Sequence, residues 1–164
     1  MVKMKNKIGA IVMTGFIVML ISSCDLTKKY ENREKEEIMN YLSQHPELTF
    51  ELKPSGLYYL DVTVGTGPKP IISDTVFVFF SGYYLDGSKF TSNVGEDAYA
   101  FPAGEGYVIP GFDEGVMFMR EGGTAKILIP SYLGYGNSGY YMPAYTPLLF
   151  EVELDSIVAG PGKK

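Results

Sequence analysis

"PLLFEVELDSI", residues 147–157, alternates apolar and polar side chains. Leu148, Phe150, Val152 and Leu154 fall on one side, and Leu149, Glu151, Glu153 and Asp155 on the other. Successive side chains of a strand point to opposite faces, so this spacing predicts a strand buried on its first side and wet on its second, as in an antiparallel sheet with one covered face. Neighbouring stretches read the same way. "TAKILIP" puts Ala125, Ile127 and Ile129 on one face, and "GLYYLDVTVGTGPKP" does so with Tyr58, Leu60, Val62 and Val64 before a Gly-Pro stop. "DTVFVFFSGYYL", residues 74–85, is β-branched and aromatic, as strands are. It runs into Asp86-Gly87, a turn pair that closes hairpins because glycine tolerates positive φ.

Between these strands lies "VIPGFDEGVMFM", residues 108–119. Pro110 suits a first helical turn. Asp113 and Glu114 suit the positive end of the helix dipole. Phe112, Val116 and Met119 share one face, and Glu121-Gly122-Gly123 ends the helix. Residues 55–158 therefore predict one α+β domain, an antiparallel sheet of about five strands wrapped around one short helix, with 159–164 as a tail. About 100 residues are enough for a single core.

The first 23 residues read as a leader. A basic start with Lys3, Lys5 and Lys7 precedes Ile8–Ile21, an uncharged run of 14 residues. That is short for a membrane span, which needs about 20, and right for the apolar core of a signal peptide, about 7–15. Leu20–Cys24, "LISSC", resembles a bacterial lipobox, which implies cleavage before Cys24 and lipidation of that cysteine. The implied three lipid chains anchor stably, whereas a single one binds marginally. The expected place is the bacterial cell envelope, outside the cytoplasm, in the periplasm or at the outer membrane. Cys24 is the only cysteine, so no intramolecular disulfide forms.

Losing residues 1–23 removes three lysines and no acid, leaving 11 basic and 19 acidic side chains and a formal charge of −8. Nucleic acid and anionic lipid are poor partners for such a surface. Residues 24–54 are charged at first, and Tyr30, Glu34, Ile38 and Tyr41 or Leu42 recur at helical spacing, predicting a helix over Lys28–Gln44 that stops at His45-Pro46. Its apolar stripe is short for a coiled coil, so a solvated stalk is expected rather than a partner or dimer helix, and the chain is expected to be a monomer.

Most catalytic patterns fail. Gly134–Gly139 spells G-x-G-x-x-G, but Pro143 and Pro147 follow where a helix should open. The only histidine, His45, sits in the spacer, so a Ser-His-Asp or Cys-His site lacks its imidazole. No His/Cys cluster suggests a metal site. No cofactor is expected. What remains is aromatic: rings at turns and strand ends, with few charges nearby, suit a pocket for an apolar ligand such as proline.

"DTVFVFFSGYYLDGSKFTSN", "YAFPAGEGYVIPGFDEGVMFMREGGTAKILIPSYLGYG" and "LLFEVEL" follow "SGLYYLDVTVGTGPKP" in an order and spacing similar to FK506-binding-protein type peptidyl-prolyl cis-trans isomerases. The resemblance covers Gly56–Leu154, with a contraction around Tyr140-Tyr141. It implies proline-containing segments of folding proteins as partners. It also implies a pocket with Phe112 as its floor, where the family usually has Trp, and Phe90, Phe101 and Phe150 as walls beside Tyr99. Phe80 stands where Tyr is usual. Val108 and Ile109 form the rim, the Ile109 N–H taking a substrate carbonyl; Tyr135 offers its hydroxyl, and Tyr141 and Met142 overhang the pocket. Thr91 replaces the usual Asp, which can hydrogen-bond the usual Tyr at position 80. Phe80, Phe90, Thr91, Tyr135 and Phe150 are thus the implied catalytic set. Because both polar partners are replaced together, no carboxylate is left buried and unpaired. A non-catalytic proline-peptide-binding chaperone, or a structural envelope module, is the alternative reading.

Overall fold

The computed structural model describes residues 26–137, 139 and 141–161. The basic start, the apolar run and Cys24 lie outside these residues. No helix among the described residues is long and apolar enough to cross a membrane.

A helix α1 over residues 26–44 leads into a sheet of seven strands. These are β1 (Glu51–Leu52), β2 (Tyr58–Thr63), β3 (Thr75–Tyr84), β4 (Lys89–Ser92), β5 (Tyr99–Pro102), β6 (Gly123–Ile129) and β7 (Leu148–Val158). Helix α2 (Pro110–Phe118) and a 3-10 turn, Ser131–Leu133, complete the elements. The strand order is β1-β2-β6-β7-β3-β4, every pair antiparallel, and β5 shares the outer edge of β3 with β4. The expected strand count was about five. The two extra pieces are β1, of two residues, and β5, of four, both too short to show a period.

The strand read from residues 147–157 is β7, the central strand, with Leu148, Phe150, Val152 and Leu154 all buried. α2 lies across this face and adds Phe112 and Val116 to the core, with Met119 just past its end. It packs closely because two of its residues have no side chain. A Cβ at Gly115 would sit 2.4 Å from Ile127 Cδ1, and one at Gly111 2.5 Å from Ile129 Cγ2. The helix ends at Phe118, sooner than expected, with Met119 already extended; Gly122, at φ 78°, makes the turn into β6.

Two expectations are corrected. In β2 and the residues flanking it, Leu57 and Tyr59 enter the core, while Val62 and Val64 are 57% and 64% exposed. The run "LYYL" is apolar on both sides, so alternation alone does not choose the face. The second correction explains why. α1 is not a solvated stalk but is docked on the outer face of the sheet. Ile38 is buried there against Leu128 and Leu149, flanked by Tyr41, Leu42, Phe50, Tyr58, Tyr83 and Leu85. Leu149, expected in water, is 6% exposed beneath it. Burying a side chain such as Ile38 contributes about 1.5–3 kcal/mol. The helical stripe of Tyr30, Glu34, Ile38 and Tyr41/Leu42 is the face that docks.

Candidate active site: an aromatic pocket

The open end of the covered face holds a cavity of about 610 Å³. Six stretches of chain build it. β3 brings Phe80, and β4 brings Phe90 and Thr91. Tyr99 comes from β5. The segment entering α2 supplies Tyr107, Val108, Ile109 and Phe112, and Tyr135, Tyr141, Met142 and Phe150 come from the final loop and β7. The lining includes no Asp, Glu, Lys, Arg or His, so it is a largely apolar surface edged by phenol and threonine hydroxyls.

The rings set each other's tilt. Phe112 meets Phe150 at 5.1 Å between centroids and 77°, and Phe80 at 5.4 Å and 71°; Phe90 meets Phe150 at 5.7 Å and 88°. Edge-to-face pairs of this kind favour one arrangement over a collapsed stack. Gly82 makes room for them. A Cβ there would lie 2.7 Å from Phe90, 2.8 Å from Thr91 and 2.9 Å from Phe150, so this β3 position must be glycine for the walls to converge. Phe90 arrives through the Asp86-Gly87 turn, Gly87 at φ 86°. The Asp86 carboxylate accepts the Ser88 N–H and hydroxyl, and these bonds hold its pKa below the usual range.

Twelve residues were expected at the site, and eleven of them line this cavity. Phe101 is the exception. It is 3% exposed and packs behind the lining, 6.0 Å from the Phe112 ring and 5.8 Å from Tyr99, so it backs these two rings and does not itself line the cavity. Thr91 pairs with Gly82 across β3–β4 and faces the cavity.

Three residues were missed. Tyr107 lines the mouth at 70% exposure, and only its place beside Val108 hinted at it. Asn93 ties the segment after β4 to β3: its Oδ1 accepts the Phe80 N–H at 2.7 Å, and its Nδ2 donates to the Val78 and Asp97 carbonyls. Asp113, read as a helix-start charge, is 7% exposed and accepts the N–H of Gly104 at 2.7 Å and of Gly106 at 2.9 Å. It therefore pins the loop that carries Tyr107, Val108 and Ile109. An acid just inside a helix, after a Gly-rich loop, is the sequence signal for such a pin.

A twisted antiparallel sheet folded over one short helix, with an uncharged aromatic cavity at its open end, is the form of the FKBP-type peptidyl-prolyl cis-trans isomerases. The chain belongs to that family, whose model matches residues 67–155. It is 41% identical over 131 residues to the FKBP-type peptidyl-prolyl cis-trans isomerase FkpA of Aeromonas hydrophila, covering 77% of this chain and 47% of that one. It is 37% identical over 102 residues to an FK506-binding protein of Neisseria meningitidis serogroup B, covering 60% of this chain and 94% of that one. The crystal structure of FkpA from Escherichia coli matches with a TM-score of 0.72 and 29% identity, over 97% of this chain and 76% of that one. The chain thus spans about half the length of the Aeromonas relative.

Proposed function

We propose that the chain is a prolyl isomerase that speeds rotation about Xaa-Pro bonds in proteins folding outside the cytoplasm. The observation that carries this reading is the cavity itself, uncharged, aromatic and built from separate elements of a chain of this family. The substrate proline ring rests on Phe112 between Phe80, Phe90 and Phe150, with Tyr99 beside it. Val108 and Ile109 form the rim, the Ile109 N–H takes a substrate carbonyl, Tyr135 donates its hydroxyl, and Tyr141 and Met142 cover the ring.

No acid, base or nucleophile is required. Resonance opposes rotation with a barrier of about 18–20 kcal/mol, and it places charge on the carbonyl oxygen that water stabilises. A dry aromatic site penalises the planar amide more than the twisted one, which has lost part of that charge separation. Each tenfold acceleration requires about 1.4 kcal/mol of this difference.

The test is cis-trans exchange of an Xaa-Pro peptide followed by NMR. Exchange well above the uncatalysed rate, whose time scale is tens to hundreds of seconds, is expected. Binding without acceleration would move the reading to a proline-peptide-binding module. The same experiment addresses Thr91. Thr91→Asp alone sets a carboxylate among Phe80, Phe90 and Phe150 and is expected to lower stability by about 1–3 kcal/mol. Adding Phe80→Tyr gives that carboxylate a donor and should recover much of the loss while raising the exchange rate. A double variant no faster than the native chain would mean that the polar pair does not limit catalysis.

Residues 1–23 are read as the signal removed ahead of Cys24, and Cys24 as the lipidated residue that holds a monomeric isomerase to an envelope membrane. In a bacterial host, Cys24→Ala should move the protein from the membrane to the soluble fraction. Undiminished membrane attachment would favour a spanning anchor.

A further inference from the structure

We propose that Glu34, on α1, is a positioning residue of the pocket: it holds the loop that overhangs the proline site. This rests on the isomerase reading above, and Glu34 lies outside the segment 67–155 that matches the family.

Glu34 is buried at 6% exposure, and so is Ser131 at 4%. Glu34 Oε1 accepts the Ser131 N–H at 2.5 Å, and Oε2 accepts the Ser131 hydroxyl at 2.7 Å, across 97 residues of sequence. The Ser131 carbonyl in turn accepts the N–H of Gly134 at 2.9 Å and of Gly136 at 2.8 Å, the residues on either side of Tyr135. One residue therefore carries the contact from α1 to the backbone that presents Tyr135. The far end of the loop is tied as well. Tyr30, one helical turn before Glu34, stacks on Tyr145 at 5.4 Å and 8°. The Tyr145 N–H donates to the Gly136 carbonyl at 3.0 Å, which closes the loop on itself. Tyr141, inside this closed loop, and Tyr135, just before it, contact each other at 6.0 Å and both line the cavity.

Docking of α1 does not require an acid. Ile38, Tyr41 and Leu42 supply apolar surface, whereas a buried carboxylate is costly unless fully hydrogen-bonded. Charge-assisted bonds are directional, so Glu34 fixes where the helix sits against Ser131, a demand that apolar packing alone does not make. The pocket's cover is thereby set by a helix that contributes no lining residue.

Three measurements on the full chain test this: peptide affinity, the split between kcat and KM, and amide exchange at residues 131–137 and 145. Glu34→Ala should weaken binding of an Xaa-Pro peptide about three- to tenfold, as remote positioning residues do, mainly through KM, with faster amide exchange in the loop. Glu34→Gln keeps an oxygen for the Ser131 N–H and should restore most of both. Tyr30→Ala should loosen the residue 145 end alone. Unchanged affinity and unchanged loop exchange in Glu34→Ala would overturn the proposal, and so would a Glu34→Gln chain that behaves like Glu34→Ala. Should Glu34→Ala fail to fold, Ser131→Ala, which removes the hydroxyl bond to Glu34, and Tyr30→Ala decide the matter through loop exchange, and native exchange in both would overturn it. If the native chain shows no isomerase activity, that reading falls, while loop exchange still tests the clamp.

Discussion

Replacing Phe112 by alanine is expected to lower stability by about 3–5 kcal/mol, the range for truncating a buried aromatic residue. The ring is 4% exposed and touches Phe80, Phe101 and Phe150 at once, so its loss takes an edge-to-face partner from Phe80 and Phe150 and a tilted one from Phe101. The space left behind joins the open cavity. Water then enters the place where the proline ring should meet hydrocarbon, and the penalty on the planar amide fades. A loss of about 1.4–2.8 kcal/mol of transition-state preference would slow peptide exchange roughly ten- to hundredfold. Phe112→Leu keeps the floor apolar and should retain more of both properties. Urea unfolding followed by circular dichroism measures the first effect, and NMR exchange on the folded variant measures the second. Native exchange rates in Phe112→Ala would remove Phe112 from the role of floor.

Asp113→Ala is the second large effect. Hydrogen bonds to a charged group contribute about 1.5–3 kcal/mol each, and Asp113 accepts two. Gly104 and Gly106 lie in an exposed loop, so water reaches the freed N–H groups, and the expected loss is about 2–3 kcal/mol, not twice a single bond. Holding the loop in one shape also costs backbone freedom, since Gly104 and Gly106, both at φ 73°, have many other conformations open to them. Without its pin the chain entering α2 samples more conformations, and the rim of Val108 and Ile109 loses its place. Peptide affinity should fall along with stability. Asp113→Asn, with one oxygen in place of two, should fall between. A peptide affinity equal to the native chain's in Asp113→Ala would show that the rim is held by α2 alone.

Much of the fold was legible because its signals are local. The period of two in residues 147–157 and the Asp86-Gly87 turn each need only a few neighbours in sequence. So does the spacing of Phe112, Val116 and Met119. The pocket residues were legible through similarity to the family, since nothing local says that Phe80, Phe90 and Phe150 converge. What stayed hidden depends on pairings far apart in sequence. Leu149 alternates correctly for an outward residue, and only the docking of α1 buries it. Glu34 reads as one more charge in a charged helix until Ser131, 97 residues later, meets it. The face of β2 was ambiguous because both sides are covered there, one by α2 and the other by α1. Asn93 and Asp113 act on backbone N–H groups, whose positions no side-chain pattern records.

The place of β7 in the sheet has a consequence for the protein's own maturation. Among the described residues it is the last strand in chain order, yet it is inserted between β6 and β3, pairing Thr75 with Val158. Sheets dominated by such distant pairings fold on the order of milliseconds to seconds, slower than helical bundles. Phe150 stands on that strand, so the cavity lacks one of its lining rings until β7 has been made and threaded into the gap. The cavity has no partial form: it closes only when β7 is in place.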